Sequence, residues 1–240
     1  DGIDVKDYNL DNEVIQIDSL TVRDYGKDVS GQSAVDIRGP VVLTNLVADS
    51  KNLDTRAFRF RSSGAQGRAG SGTVCGVYFK AADAASYALQ VSTNVSDYVA
   101  SNVESEGSGL IAVFESGSSG LAKGLIGRDL LGDALSIFGD GVIVDGVVVN
   151  GAVGRGADLE LGSSSCVVKN FKFIGIANSQ FIRVNGDNHK IIDGQVEAGK
   201  LVGDAGANTV IRGVINYKTD EVLLSDDILV DSIGVKSFVF

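Results

Sequence analysis

The side chains in this sequence best suited to chemistry are carboxylates. Glu104 sits in "YVASNVESE" at a strand position that several related stretches fill with an aliphatic residue, and Glu106 lies two residues on. Glu115 follows "LIAVF", and Asp97 opens the segment that leads to Glu104. Carboxylates gathered in one region push their pKa values apart, so one stays protonated as an acid while another ionises as base or nucleophile. Cleavage of a glycosidic bond needs that division of labour. Glu104, Glu115 and Asp97 are therefore the candidate catalytic residues. Tyr78, at the Glu104 position of a neighbouring stretch, offers a ring on which a sugar can stack. Arg59 and the pair Glu160 and Arg183 are candidate substrate-binding residues. Alignment sets Arg59 opposite Asp36 and Arg183 opposite Glu160, which reads first as ion pairing that fixes strand stacking and second as sugar binding.

Other chemistries find less support. His189, the single histidine, stands near Asp187 just before "KIIDG" and reads as a solvated turn residue. One histidine builds no metal site, and no Ser or Cys pairs with it as a nucleophile. Cys75 and Cys166 have neither metal-ligand spacing nor a disulfide framework. "SSGAQGRAGSG" (62–72) and "NGAVGRGAD" (150–158) are glycine-rich, but neither ends as a phosphate-binding loop does, so both read as projecting loops. No metal and no cofactor is expected.

A repeat must position these residues. "VIVDGVVVN" (142–150) has relatives along the chain, among them "IQIDSLTVR", "VVLTNLVAD", "CVVKNFKFI", "KIIDGQVEA" and "ILVDSIGVK". Aligned on the Gly146 position, one column reads Ser19, Asn45, Gly76, Asn102, Gly124, Gly146, Asn170, Gly194, Gly213 and Ser232. These types tolerate left-handed backbone, so the column predicts a corner in each unit. The columns two before and one after the corner are apolar at every position but Gln195. Gaps between corners run from 19 to 31 residues, as unequal loops on equal coils produce. Second short strands precede many corners, for example "AVDI" (34–37), "AFRF" (57–60), "YALQV" (87–91) and "FIRV" (181–184). The unit is strand, turn, strand, corner, strand, and the Asp-Gly of "VIVDGVVVN" bends the chain rather than reversing it as a hairpin would. Stacked at about 4.8 Å, such units form a solenoid with a dry aliphatic interior.

This pattern resembles the right-handed parallel β-helix of the pectate-lyase-like superfamily, and most of all a phage tailspike or tail-fibre module. The resemblance covers nearly the whole chain and rests on the Gly/Asn corner column. It implies an all-β fold, a right-handed parallel β-helix of roughly ten coils, with residues 1–240 forming a single domain. The absence of an initiator Met predicts a processed product or a piece of a longer chain. In the coil alignment Cys75 and Cys166 are four corners apart, beyond disulfide reach, and both are expected to be free and buried. The residues just before the corner in the last five coils, Asp145, Lys169, Asp193, Arg212 and Asp231, alternate in sign and predict a charge ladder.

The outward face is unusually apolar. Three positions before the corner stand Gln16, Val42, Thr73, Val99, Leu121, Ile143, Val167, Ile191, Val210 and Leu229. Two positions after it, Val47, Ile126, Val148, Val196 and Ile215 continue the stripe. A strand apolar on both faces is buried on both. The expectation is self-association, most simply a homotrimer of parallel solenoids; a further bend that turns both columns inward is the competing reading.

With a net charge of −10 and scattered Lys and Arg, nucleic acid is not an expected partner. No apolar run is long enough for a membrane span. The resemblance implies recognition of bacterial surface polysaccharide on a virion tail or in the extracellular space. It leaves cleavage open, with a glycoside hydrolase favoured over a lyase. The alternatives are a secreted polysaccharide lyase or epimerase, and a non-enzymatic spike or adhesin spacer.

Overall fold

The computed structural model describes residues 2–6, 14–26, 30–62, 70–197, 201–203, 208–216, 222–224, 228–230 and 238–239. The chain alternates between two sheets, one strand in each per coil. Sheet I holds β1 (Ile3–Lys6), β3 (Gln32–Arg38), β5 (Thr55–Phe60), β7 (Tyr87–Val91), β9 (Leu110–Phe114), β11 (Leu135–Ile137), β13 (Ala157–Leu159), β15 (Gln180–Val184) and β17 (Leu201–Gly203). Sheet II holds β2 (Ile15–Arg23), β4 (Pro40–Asp49), β6 (Ser71–Lys80), β8 (Tyr98–Glu106), β10 (Gly120–Leu130), β12 (Val142–Ala152), β14 (Val167–Ile176), β16 (Lys190–Val196) and β18 (Thr209–Asn216). Up to β17 and β18, each strand pairs in parallel with the strand one coil on. The fold is a parallel β-solenoid, close to the coil number expected.

The Asp-Gly of β12 bends the strand without reversing it. β12 runs unbroken from Val142 to Ala152, and Lys123↔Asp145 and Leu125↔Val147 pair on either side of the corner. Gly146 has φ 77°, and its column follows suit at Ser19, Asn45, Gly76, Asn102, Gly124, Asn170 and Gly213. Corner asparagines also donate to the residue before the corner one coil back: Asn45 to Asp18 (3.0 Å) and Asn170 to Asp145 (2.6 Å). Because the bend resets alternation, Val142, Val144, Val147 and Val149 all point inward and are fully buried. A second left-handed column lies five residues on, at Gly107, Asp129, Gly151 and Gly175.

One coil departs from the predicted alignment. In β16 the left-handed residue is Asp193 (φ 56°), not Gly194, and Phe171 rather than Asn170 pairs with Gly194. Gly194 faces inward under the Phe171 ring, where an added Cβ would meet ring carbons at 1.9–2.4 Å. The one-residue shift turns Gln195 outward opposite Lys172 and buries Ile191 and Val196. It also breaks the predicted charge ladder. Lys169 and Asp145 pair at 3.0 Å, but Ile192 takes the next rung between Lys169 and Arg212.

The last predicted coil is not one. β20 (Ile228–Val230) pairs antiparallel with β18, as does β19 (Val222–Leu224), and β21 (Phe238–Val239) pairs antiparallel with β17. These strands cover the final edge of both sheets, which blunts an otherwise open ladder. Asp231 and Ser232 lie outside the described residues, as do residues 63–69 of the first glycine-rich stretch.

Between the sheets, aliphatic side chains stack coil on coil around two aromatic groups. Phe58, Phe60, Tyr98 and Phe114 form one, with successive ring centroids 6.0, 5.4 and 6.3 Å apart. Phe171, Phe173 and Phe181 form the other.

Candidate functional site

The two outer faces differ in chemistry, and they divide the candidate residues between them. On sheet II the apolar stripe is exposed. Val42, Val47, Ile143 and Val148 keep 37–40% of their surface, so the competing inward reading does not hold for these positions. Lys190 interrupts the column after Val167. Within this face Tyr78 and Glu104 are register partners, flanked by Val47 and Ile126 on the coils to either side. They line a shallow concavity of about 340 Å³ just past the corner, with Asn45, Asn102, Gly76 and Gly124 along its other side.

Both glutamates of β8 are already engaged there. Arg128 Nε donates to Glu104 at 2.7 Å. Lys80 Nζ and the Tyr78 hydroxyl donate to the two oxygens of Glu106 at 2.7 and 2.8 Å. Lys80, with Tyr78, holds the Glu106 carboxyl below its ordinary value, and Glu106 in turn raises the Tyr78 phenol. Such a charge-paired cluster binds polar groups. It supplies no carboxylic acid at neutral pH from Glu106.

On sheet I the outward column reads Asp4, Asp36, Arg59, Gln90, Val113, Ser136, Asp158, Arg183, one residue per coil. It is polar where sheet II is apolar. At its near end Asp36 is fully buried beneath Arg38, Arg59 and Arg61, and the bonds from Arg59 and Arg61 outweigh burial to keep its carboxyl ionised. Next, Arg56 bonds Gln90 (3.0 Å) and Asp54 (2.6 Å) and lies 4.4 Å over the Tyr87 ring. Gln90 donates to Glu115, which also accepts from the Thr93 amide (3.0 Å) and hydroxyl (3.1 Å).

At the far end three carboxylates meet two guanidiniums. Arg183 bonds Asp158 through Nε (2.7 Å) and reaches Glu160 through Nη2 (3.0 Å). Arg155 lies 3.3 Å from both Asp158 and Asp133. Burial pushes the Asp158 carboxyl up to about 6 and nearby Glu160 adds to the rise, against the pull of the arginines. A carboxyl poised there can hold a proton near neutral pH.

The predicted pairing of Arg59 with Asp36 is thus made in register, while Arg183 touches Glu160 but stands opposite Asp158, two residues from the predicted alignment. The three predicted catalytic residues are not brought together. Glu104 lies on sheet II, Glu115 directly follows β9 of sheet I, and Asp97 occupies the turn before β8, accepting from Ser96 at 3.2 Å. Sequence reasoning passed over Asp158, Asp133, Arg155, Tyr87 and Gln90. The signal for Asp158 was present: Ala157 and Leu159 alternate inward around it, which sets it opposite Arg183.

His189 is not solvated. It is fully buried, Cys166 N–H donates to Nδ1 at 3.1 Å, and Nε2 lies 3.3 Å from Ser163 Oγ. Ser163 spends its own proton on the Glu160 carbonyl (2.7 Å), so the imidazole is neutral with its hydrogen on Nε2. Burial drops its pKa to about 4. Cys166 is buried as expected, with its thiol pushed up to about 11, while Cys75 is half-exposed and accepts from Asn102 Nδ2; both are free. Among the described residues no group of His, Cys, Asp and Glu is placed to hold a metal, and no helix is long and apolar enough to cross a membrane.

Comparison with protein-family models, curated proteins and solved structures finds no match to this chain.

Proposed function

We propose that this solenoid recognises a bacterial surface polysaccharide along the outer face of sheet I and associates with copies of itself through sheet II, as a phage tailspike-type module on a virion or in the extracellular space. One observation carries the reading: the polar column on sheet I against the apolar stripe on sheet II. A stripe covered by a second copy takes the Tyr78–Glu104 concavity with it, because Val47 and Ile126 belong to both. Sheet I is then the face left for ligand. It offers guanidiniums and carboxylates at about 4.8 Å per coil, partly exposed at Arg59, Arg61, Arg155, Glu160 and Arg183, a mix suited to the hydroxyls of an extended sugar chain.

The test is binding to a panel of immobilised capsular and O-antigen polysaccharides. The expected result is saturable binding to at least one, weakened tenfold or more by Arg183→Gln and unaffected by Tyr78→Ala. Absence of binding across the panel, or binding indifferent to sheet I substitutions, overturns it and favours the spacer.

Cleavage is a second reading, favoured by the raised Asp158 beside Glu160. Asp158 would protonate the leaving oxygen and Glu160 would activate water. Asp158 is only 1% exposed, so Arg155 or Arg183 must swing aside first. Release of reducing ends that Asp158→Asn abolishes supports hydrolysis. Ultraviolet absorbance from unsaturated ends would assign a lyase instead.

A further inference from the structure

Among the described residues, the near end of the sheet I column carries more guanidiniums than carboxylates. Arg38, Arg59 and Arg61 converge on Asp36, and the other carboxylate there, Asp4, lies 3.2 Å from Arg38 Nε. Asp36 accepts four hydrogen bonds: from Arg38 Nη2 (3.1 Å), Arg59 Nε (2.8 Å) and Nη2 (3.2 Å), and Arg61 Nη1 (2.8 Å). A carboxylate offers about four acceptor sites, so Asp36 is saturated. Each guanidinium has five N–H donors, and several remain. Arg59 Nη1 reaches only the Gly31 carbonyl, at 3.4 Å. Arg38 Nε is buried without hydrogen-bond geometry to any acceptor among the described residues, despite its closeness to Asp4. Arg61 is one-third exposed and spends only Nη1, leaving Nε and Nη2 with no acceptor among the described residues.

We propose that Arg61, backed by Arg38 and Arg59, forms a subsite for an oxyanion: a carboxylate, sulfate or phosphate group presented by the ligand. Among the described residues three guanidiniums meet two carboxylates here, an excess of positive charge in a chain of net charge −10. Charge attraction alone does not concentrate anions near such a protein, so a local guanidinium cluster is what would hold one. The far end of the same column is the converse. There Arg155 and Arg183 face Asp133, Asp158 and Glu160, and the excess is negative. A two-sided guanidinium fork matches planar and tetrahedral oxyanions alike. Asp36 holds the stems in place, so the subsite is preorganised before an anion arrives. Taken with the proposed function, on which this part rests, the polysaccharide is an acidic one.

The experiment follows the arginine Nε–H resonances of the whole chain by NMR during titration with phosphate, with galacturonate and with neutral galactose, each against chloride at matched ionic strength. The expected result is a saturable shift with both anions, none with galactose, and loss of at least tenfold in affinity in Arg61→Gln. Arg61→Lys keeps the charge but not the fork, and is expected to bind weakly; its fold is checked by the same spectrum. A non-saturating shift, or saturation unchanged in Arg61→Gln, overturns the subsite. A second arm adds the polysaccharide panel. Small anions that saturate while no polysaccharide binds leave the subsite standing and sink the proposed function. Neutral and acidic polysaccharides bound equally by the chain and by Arg61→Gln do the reverse.

Discussion

A histidine buried neutral ties stability to pH at the scale of one residue. The folded pKa of His189, about 4, lies below the ordinary 6.5. Between those values the unfolded chain binds more protons, so stability falls as pH drops through that window, by roughly 3 kcal/mol in all. Asp158 acts in the opposite sense: its folded pKa of about 6 exceeds the ordinary 3.8, so its contribution is lost as pH rises from 3.8 to 6. Urea melts of His189→Gln between pH 7 and 4 should therefore show a stability that rises, or falls less, on acidification than the parent's. A parent and variant with parallel pH profiles would contradict the neutral assignment. Tyr98 makes a second case. Its ring fills the core between Phe60 and Phe114, yet its hydroxyl is buried with no partner among the described residues. An unpaired buried hydroxyl costs about 1–3 kcal/mol. Tyr98→Phe should leave stability unchanged or raise it, measured as the midpoint of thermal unfolding, and a loss above 1 kcal/mol would reveal a hidden partner.

Corners are where element-scale stability is decided, and the two Asp-Gly corners separate two roles of glycine. At Gly146 there is room: an added Cβ meets only Gly124 atoms at 3.6 Å or more, so φ 77° is the whole constraint. Gly146→Ala should cost about 1 kcal/mol, and Gly146→Asn markedly less, since asparagine tolerates this conformation. At Gly194 space is the constraint instead, because the Phe171 ring fills it. Gly194→Ala should cost more than Gly146→Ala, about 1–3 kcal/mol, through displacement of that ring. Equal losses in the two variants, read from denaturant midpoints, would sink the assignment of Asp193 as the corner. The sequence made the column itself legible, since Gly, Asn and Ser recur beside apolar alternation. It hid which residue of "IIDGQV" turns, because a preference for glycine at corners points to Gly194. The second column was equally available, five residues past the first at Gly107, Asp129, Gly151 and Gly175, but "VVVNG" reads as a strand until the bend is seen.

Across the whole molecule, the faces of the two sheets set what the solenoid can meet. The stripe on sheet II leaves Val42 and Val47 of β4 and Ile143 and Val148 of β12 open to water, with half-buried Val99, Leu121 and Ile126 on coils between them, and a second copy carries the same stripe at the same rise. Light scattering at micromolar concentration should return a trimeric mass for the chain and a monomeric mass for Ile143→Lys combined with Val148→Lys. Both positions are exposed, so these changes should leave the fold intact. A monomeric mass for the unaltered chain would sink self-association. In the proposed arrangement a ligand on sheet I and a second copy on sheet II would not compete, because the two faces belong to different sheets.

By itself the sequence determined the solenoid, because a repeating corner and period-two alternation are local properties that survive unequal loops. It also determined the contact of Arg59 with Asp36, opposite charges one coil apart at the same strand position, whereas Arg183 stands opposite Asp158 and reaches Glu160 only with the far end of its guanidinium. Only the tertiary structure decided the rest. Whether Glu104, Glu115 and Asp97 share a site depends on which sheet each strand joins, and the chain changes sheet at every turn. Whether His189 is wet depends on the Ser163 and Cys166 of the preceding coil, 26 and 23 residues away in sequence. Whether Asp193 or Gly194 turns the corner depends on an aromatic ring one coil back. In the last two cases the deciding neighbour lies about 4.8 Å along the solenoid axis but a full coil away along the chain.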